Sequence, residues 1–420
     1  MRLIYAALAR LIAPFAFAVV LWRGLSDRSY WDRLGERFGC GAVQLQERCI
    51  WVHAVSVGEV QASAALIRAL RARYSGIPLV LTTVTPTGAA RAKSLFGDEV
   101  YHSFAPYDLP GSVRRFLDRV QPRLAIILET EIWPNLFDAC GKRGIPLLLA
   151  SARVSQRSVG RYRLLAGLFR QTLAQGIVIA AQSEGDAARF RSIGANPGRT
   201  HVTGNIKFDF QVPPTLTADG AKLRAQYARA RQVWIAGSTH AGEEDVVLDA
   251  HERLIASGTD ALLVLVPRHP QRFDEVAANL KRRGLTFVRR SRAQTAAADT
   301  LVLLVDSIGE LMTFYAAADV AFVGGSLVPI GGHNLLEPAA LGLPIVSGPN
   351  TFSAEGIARL LIEVGAVRTV HNAAELAASV AALLRDPQMR RAAGERGRAT
   401  VEANRGALEK LLALLPPLIG

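Results

Sequence analysis

The chain has 420 residues, half of them hydrophobic, and its 49 Lys and Arg against 36 Asp and Glu give a formal net charge of +13. That length suggests two or three domains with ample cores, and the composition excludes a disordered acidic chain or a minimal disulfide scaffold. The surplus charge points to a negative partner (nucleic acid, a phospholipid surface or acidic small molecules) or to solvated Arg on helix faces, while 7% aromatics without basic–aromatic interleaving give nucleic acid no support.

Residues 3–22 form an apolar run with one charge, Arg10. As a helix at about 1.5 Å per residue it reaches about 30 Å, one hydrocarbon thickness. Arg10 and Pro14 weaken the case for a deeply buried span. Ala16-Phe17-Ala18 mimics a signal-peptide cleavage site. The alternatives are a single anchor or an amphipathic segment in the interface. Arg23, Arg28, Arg33 and Arg37 follow the run against Arg2 ahead of it, so the positive-inside rule keeps the body cytoplasmic. The expectation is a retained anchor or interfacial segment, residues 1–25. Cys40, Cys49 and Cys140 are sparse and odd in number, and they make neither a disulfide framework nor a zinc ribbon.

Beyond residue 45, short apolar β-rich runs alternate with helical patterns. CIWVHA, PLVLTTV, EVYHSFA, LAIILET, PLLLASA and IVIAAQ come first; QVWIAG, LLVLVP, TFVRR, LVLLVD, VAFVGG and PIVSG repeat the scheme. Continuous apolar strands read as parallel and buried on both faces, and alternation with helices means a doubly wound sheet. The expected organisation is two Rossmann-like α/β domains, 45–205 and 231–385, facing a cleft. Residues 206–230, with Pro213-Pro214, form the expected linker. Residues 386–420 form a tail helix expected to pack back on the first domain. Ligands of open parallel sheets bind beyond the carboxyl ends of the strands.

Absences narrow the chemistry. No P-loop, no GxGxxG after the first strand, no DxD, no HExxH and no Cys/His cluster is present. Metal-independent sugar-nucleotide chemistry remains prominent. Among the strand-end loops, Ser56-Val57-Gly58-Glu59 places Glu59 as a general base or as the glutamate of a capping box. In Glu129-Thr130-Glu131-Ile132-Trp133-Pro134, two carboxylates on an extended chain share a side, or else mark a helix start with Pro134 in the first turn. Lys207 in Thr203-Gly204-Asn205-Ile206-Lys207-Phe208-Asp209 either meets charge developing on a leaving phosphate or is solvated. Arg268, after the strand ending at Pro267, is a phosphate partner or part of a surface loop. Asp306-Ser307-Ile308-Gly309-Glu310 opens a helix whose amides cradle phosphate, or forms a second capping box. Gly324-Gly325 and Gly331-Gly332 bracket a loop running into Asn334-Leu335-Leu336-Glu337. Its amides suit a phosphate and its carboxylate suits a ribose, unless it is a flexible loop with an Asn cap.

HAVSVGE (53–59), TPTG (85–88), PYDLP (106–110), ETEIWPNL (129–136), TGNIKFD (203–209), STHAGEE (238–244), VPRHPQRF (266–273), GELM (309–312) and GGSLVPIGGHNLLEPAA (324–340) run in order along nearly the whole chain. Together they resemble the Kdo transferases, which attach 3-deoxy-D-manno-oct-2-ulosonic acid to lipid A precursor. The resemblance implies an inverting, metal-independent GT-B glycosyltransferase of lipopolysaccharide biosynthesis, using CMP-Kdo and lipid IVA at the cytoplasmic face of a bacterial inner membrane. It implies no separate cofactor and no nucleic-acid partner. It marks Glu59 as the base, Glu129 and Lys207 as the transition-state pair, and Pro267, Arg268, Ile308, Gly309, Glu310, Asn334, Leu335, Leu336 and Glu337 as the CMP-binding set. The rival functions are another GT-B enzyme acting on a UDP-sugar, or a non-catalytic sensor of anionic lipid built on Lys281-Arg282-Arg283 and Arg289-Arg290-Ser291-Arg292.

Overall fold

A computed structural model describes residues 2–155, 158–160, 166–173, 176–228 and 230–419. The chain divides into two compact units, residues 1–210 with 404–420, and residues 211–403. The first holds seven parallel strands: β1 (Cys49–His53), β2 (Leu79–Thr83), β3 (Tyr101–Phe104), β4 (Pro122–Leu128), β5 (Leu147–Ala152), β6 (Val178–Ala181) and β7 (Thr200–Val202), in the order β3-β2-β1-β4-β5-β6-β7. Along β1, Cys49 and Trp51 join one core cluster, while Ile50 and Val52 join the other. Both sheet faces are therefore covered, which is why the strands read as unbroken apolar runs.

The second unit also holds seven parallel strands: β8 (Gln232–Thr239), β9 (Ala261–Pro267), β10 (Phe287–Arg289), β11 (Val302–Leu304), β12 (Val320–Val323), β13 (Ile345–Ser347) and β14 (Val367–Thr369). Their order is β10-β11-β9-β8-β12-β13-β14. In each sheet the winding reverses beside the first strand, at β1/β4 and at β8/β12. Doubly wound sheets bind ligands at such a reversal.

Each unit has one more strand than the apolar runs suggest. β7 and β14 are three residues each, sit at sheet edges and are only partly buried, so no apolar signal marks them. The expected linker 206–230 is not one. Ile206–Asp209 is a 3-10 turn of the first unit, and Leu216–Tyr227 is a helix whose Leu223 and Tyr227 enter the second core. The tail also divides. Helix Pro387–Ala403 stays with the second unit, where a Cβ on Gly394 would meet the Gly342 carbonyl at 1.8 Å, so only glycine permits that approach. Only residues 404–420 belong to the first unit, burying Ala407, Leu411 and Leu415 in its core. Residues 27–44, expected outside the first domain, belong to it and bury Glu36 and Arg37. A helix, Arg2–Ser26, precedes them and is long and apolar enough to cross a membrane.

Candidate functional site

At the β1/β4 reversal the first unit gathers Glu59, Glu129 and Lys207. They line one pocket with Ala62, Leu128, Ser151 and Ile206. Glu59 stands in the first turn of helix Val57–Arg73, immediately after β1. Its Oε2 accepts the Val55 N–H at 2.7 Å, while Ser56 makes no side-chain cap. The capping box does not form, since the bond goes to the residue before the N-cap; that one oxygen positions the carboxylate, and Oε1 has no hydrogen bond among the described residues. Burial, reinforced by the negative charge of Glu129, pushes the Glu59 carboxyl up to about 7.

Glu129 follows β4 with φ +58, a left-handed conformation rare outside glycine. Strain of this kind gathers at functional sites. The turn aims the carboxylate at two cations: Lys207 Nζ lies 2.6 Å from Oε1 and Arg153 Nε 3.1 Å from Oε2. Burial alone raises a carboxyl, but these two cations outweigh it and hold Glu129 below the usual carboxylate range. The same turn removes the extended geometry expected of Glu129 and Glu131. Glu131 instead accepts the Trp133 indole N–H at 2.6 Å, and burial raises its carboxyl. Helix Pro134–Lys142 starts at Pro134, which is the alternative reading of this segment. Its first-turn amides at Asn135 and Leu136 are capped from another loop, by Asp108 at 3.1 and 2.8 Å.

Lys207 is held from both sides. Asn205 Oδ1 accepts the Lys207 N–H at 3.0 Å, and Asn205 Nδ2 donates to Gln182, which in turn donates to the Ser151 carbonyl. Two residues on, Asp209 accepts the N–H groups of Gly406 and Leu408 at 2.7 and 2.6 Å. The returning carboxy terminus therefore fixes the turn that carries Lys207.

In the second unit, Pro267 ends β9 as a buried residue and Arg268 is exposed, its N–H bonded to the Thr239 carbonyl. No carboxylate pairs with the Arg268 side chain among the described residues. Ile308 is 79% exposed and Gly309 has φ +91. The helix expected to open at Ser307 starts only at Leu311, so there is no capping box. Glu310 instead takes Ser307 Oγ and the Arg290 guanidinium, with Nη2 at 2.7 Å. The Arg290 bond, chiefly, lowers its carboxyl. Asn334 precedes helix Leu336–Ala340, accepting the Leu336 N–H at 3.1 Å and donating to Glu337 at the same distance, while the N-cap residue is Leu335. Leu335 and Leu336 are core side chains, so only their backbone can face a ligand.

The glycine loop corrects another expectation. Its amides at Gly325, Ser326 and Leu327 do not face open space. Buried Glu243 fills them, accepting the three N–H groups at 2.7, 3.0 and 2.9 Å. A protein carboxylate thus stands where a phosphate was expected. Gly324 is required because a Cβ there would lie 2.5 Å from the Ser238 carbonyl.

Sequence reasoning missed Arg153, Glu243 and three histidines. His240 and His333 stack at 5.0 Å with an interplanar angle of 6°, their Nε2 atoms 2.7 Å apart, and His269 meets His240 edge-on. Burial first lowers all three, followed by neighbouring His and Arg charges for His240 and His333 and by Arg268 and Arg272 for His269. His240 and His269 follow strand ends and His333 closes the glycine loop after β12, which is the one signal that could have found them. The basic clusters are partly neutralised: Arg283 pairs with Asp245, Asp249 and Glu252, Arg289 with Asp306 and Asp274, and Arg290 with Glu310, while Lys281, Arg282 and Arg292 make no ion pair among the described residues.

Comparison with known proteins agrees with the motif order. The family described as 3-Deoxy-D-manno-octulosonic-acid transferase (kdotransferase) matches residues 32–210, and Glycosyl transferases group 1 matches 286–400. The chain is 41% identical to the 3-deoxy-D-manno-octulosonic acid transferase of Haemophilus influenzae, covering 100% of this chain and 99% of that one. It is 38% identical to the enzyme of the same name from Bordetella pertussis, over 100% of both. Among solved structures, UDP-GlcNAc 2-epimerase from Neisseria meningitidis aligns over 87% of this chain and all of that one, with TM-score 0.56 at 15% identity. A glycosyltransferase from Rickettsia africae aligns over 89% and 99%, with TM-score 0.56 at 13% identity. These distant likenesses speak for the GT-B fold alone. Full-length identity to two named enzymes, together with the family match, places this chain in the 3-deoxy-D-manno-octulosonic acid transferase family, glycosyltransferases of lipopolysaccharide biosynthesis.

Proposed function

We propose that the protein transfers Kdo from CMP-Kdo to lipid A precursor (lipid IVA) with inversion, at the cytoplasmic face of the inner membrane, with the amino-terminal helix as its membrane contact. The observation that carries this reading is the Glu59 carboxyl, raised to about 7 beside a Lys207–Glu129–Arg153 ion cluster. A base that titrates near neutrality is matched to its task.

In the reaction the acceptor hydroxyl oxygen attacks the anomeric carbon of Kdo. The bond from that carbon to the phosphate oxygen breaks, and its electron pair leaves with CMP. Glu59 takes the hydroxyl proton through the oxygen that Val55 leaves free. Glu129 holds Lys207 and Arg153 as fixed cations, which favour the negative charge of the transition state. Its own carboxylate offsets positive character on the sugar. Arg268, unpaired and exposed, meets the CMP phosphate, joined by the backbone around Ile308 and Gly309 and by Glu310. Backbone of Asn334 to Leu336 and the Glu337 carboxylate complete the nucleotide contacts. Protein cations serve as the phosphate's counter-charge, so the transfer needs neither metal nor cofactor. EDTA should leave the rate unchanged.

The test is direct: incubate the protein with CMP-Kdo and tetraacylated lipid A precursor and read the product mass. A product heavier by one or more Kdo units supports the proposal. No product with CMP-Kdo, but turnover of a UDP-sugar, would sink it.

A further inference from the structure

The amino-terminal helix is apolar on two opposite faces, and each face has a different neighbour. One face, running through Tyr5, Ala9, Ala13, Phe17, Val20 and Gly24, is half-buried or buried against its own unit. Tyr5 Oη donates to Asp108 Oδ2 at 2.9 Å, and Phe17 meets Phe38 edge-on at 5.2 Å. Trp31 Nε1 donates to the Leu21 carbonyl, and a Cβ on Gly24 would overlap the Trp31 ring. These contacts run from residue 5 to residue 24, about 30 Å of helix at 1.5 Å per residue. The helix therefore lies along the body for the length that a bilayer span would need.

The opposite face carries Ile4, Leu8, Leu11, Phe15, Val19 and Trp22, all exposed. Their three- and four-residue spacing makes one stripe. The same period puts Arg10 and Arg23, both exposed, on the two borders between the faces.

We propose that this helix lies flat in the headgroup region of an anionic bilayer, outer stripe down and body above, and does not cross the bilayer. This rests on the membrane reading given above. Three observations carry it. If the helix crossed with its contacts intact, the Asp108 carboxylate and the irregular chain from 27 to 48 would sit at hydrocarbon depth, where such backbone is not tolerated. Arg10 stands near the middle of the helix, where a spanning segment would hold it far from either surface; a flat helix holds it and Arg23 at headgroup level. Pro14 removes the helical partner of the Arg10 carbonyl, and a flat helix leaves that carbonyl beside headgroup water. The arginine borders commit the stripe to anionic lipid over a second copy of the chain.

The test uses the full chain with exposed Cys40 replaced, since Cys49 and Cys140 are buried. In the Cys40→Ser background, Arg10→Cys and Arg23→Cys variants are bound to preformed vesicles of phosphatidylcholine and phosphatidylglycerol. A membrane-impermeant maleimide is then added outside. Both variants labelling at rates within about threefold supports the flat helix. Arg10→Cys shielded until detergent is added, with Arg23→Cys labelled, would overturn it. The Cys40→Ser parent failing to sediment with vesicles overturns the membrane reading itself, and concentration-dependent dimers without vesicle binding assign the stripe to a second copy. Phe15→Glu, on the outer stripe and outside the core, should lower vesicle partitioning about tenfold or more while the unfolding midpoint stays put.

Discussion

The two sheets reverse their winding at equivalent places, yet the reversals are furnished differently. At β1/β4 the strand ends present Glu59 with a raised carboxyl beside Glu129, which sits in a left-handed turn paired with two cations. At β8/β12 the polar groups are satisfied from within, because Glu243 fills the amides of the glycine loop. Under the proposed function, the first reversal moves a proton and steadies charge. The second is internally satisfied, so the proposed nucleotide contacts fall to exposed neighbours such as Arg268. Glycine richness alone does not distinguish a ligand cradle from an internally satisfied one.

The largest expected effect tests the first reversal. Glu59→Gln should lower transfer about a thousandfold, within the range for a lost general base. Its effect on stability has the opposite sign. A folded-state carboxyl raised to about 7 binds its proton more tightly than the unfolded chain does, so stability falls as pH rises toward 7. At pH 8 the Gln variant should melt no lower than the wild type. A lower melting temperature with retained transfer would reduce Glu59 to a cap.

Glu243→Ala tests the second reversal. It leaves buried N–H groups at Gly325, Ser326 and Leu327 without an acceptor, and should cost roughly 3–5 kcal/mol in denaturant unfolding. A variant that kept full stability but lost CMP affinity would make the carboxylate a ligand group and erase the contrast. Arg268→Ala should weaken CMP about 10- to 100-fold by calorimetric titration, with an unchanged unfolding midpoint because the side chain is exposed. The smallest effect lies in the pH profile. The wild-type rate should rise with pH through about 7 as Glu59 ionises. Lys207 lowers the Glu59 carboxyl, so in Lys207→Met the residual activity should show that limb displaced upward.

The repeating apolar runs were enough to read two doubly wound sheets, because strands covered on both faces leave an unbroken hydrophobic signal. β7 and β14 escaped because three half-covered residues at a sheet edge leave none. The site was legible as a set of strand-end loops: Glu59, Glu129 and Lys207 each follow a strand or its turn and do converge. Arg153 escaped because a lone arginine after an apolar strand looks like any solvated arginine until Glu129 turns toward it. Ser307-x-x-Glu310 read as a helix cap, but Arg290, twenty residues earlier, claims that carboxylate.

The sequence by itself determined the fold class, the order of motifs and the net positive charge. Periodicity and residue type are local properties that survive in a linear string. Tertiary structure alone decided which carboxylate is raised and which is lowered. Those shifts depend on burial and on charges from distant residues: for Glu129, cations 2.6–3.1 Å away, one of them 78 positions along the chain. It also decided that residues 206–230 divide between the two units, that the carboxy terminus braces the Lys207 turn, and that the glycine loop is filled by Glu243. Each depends on a contact between distant segments, and no local pattern encodes it.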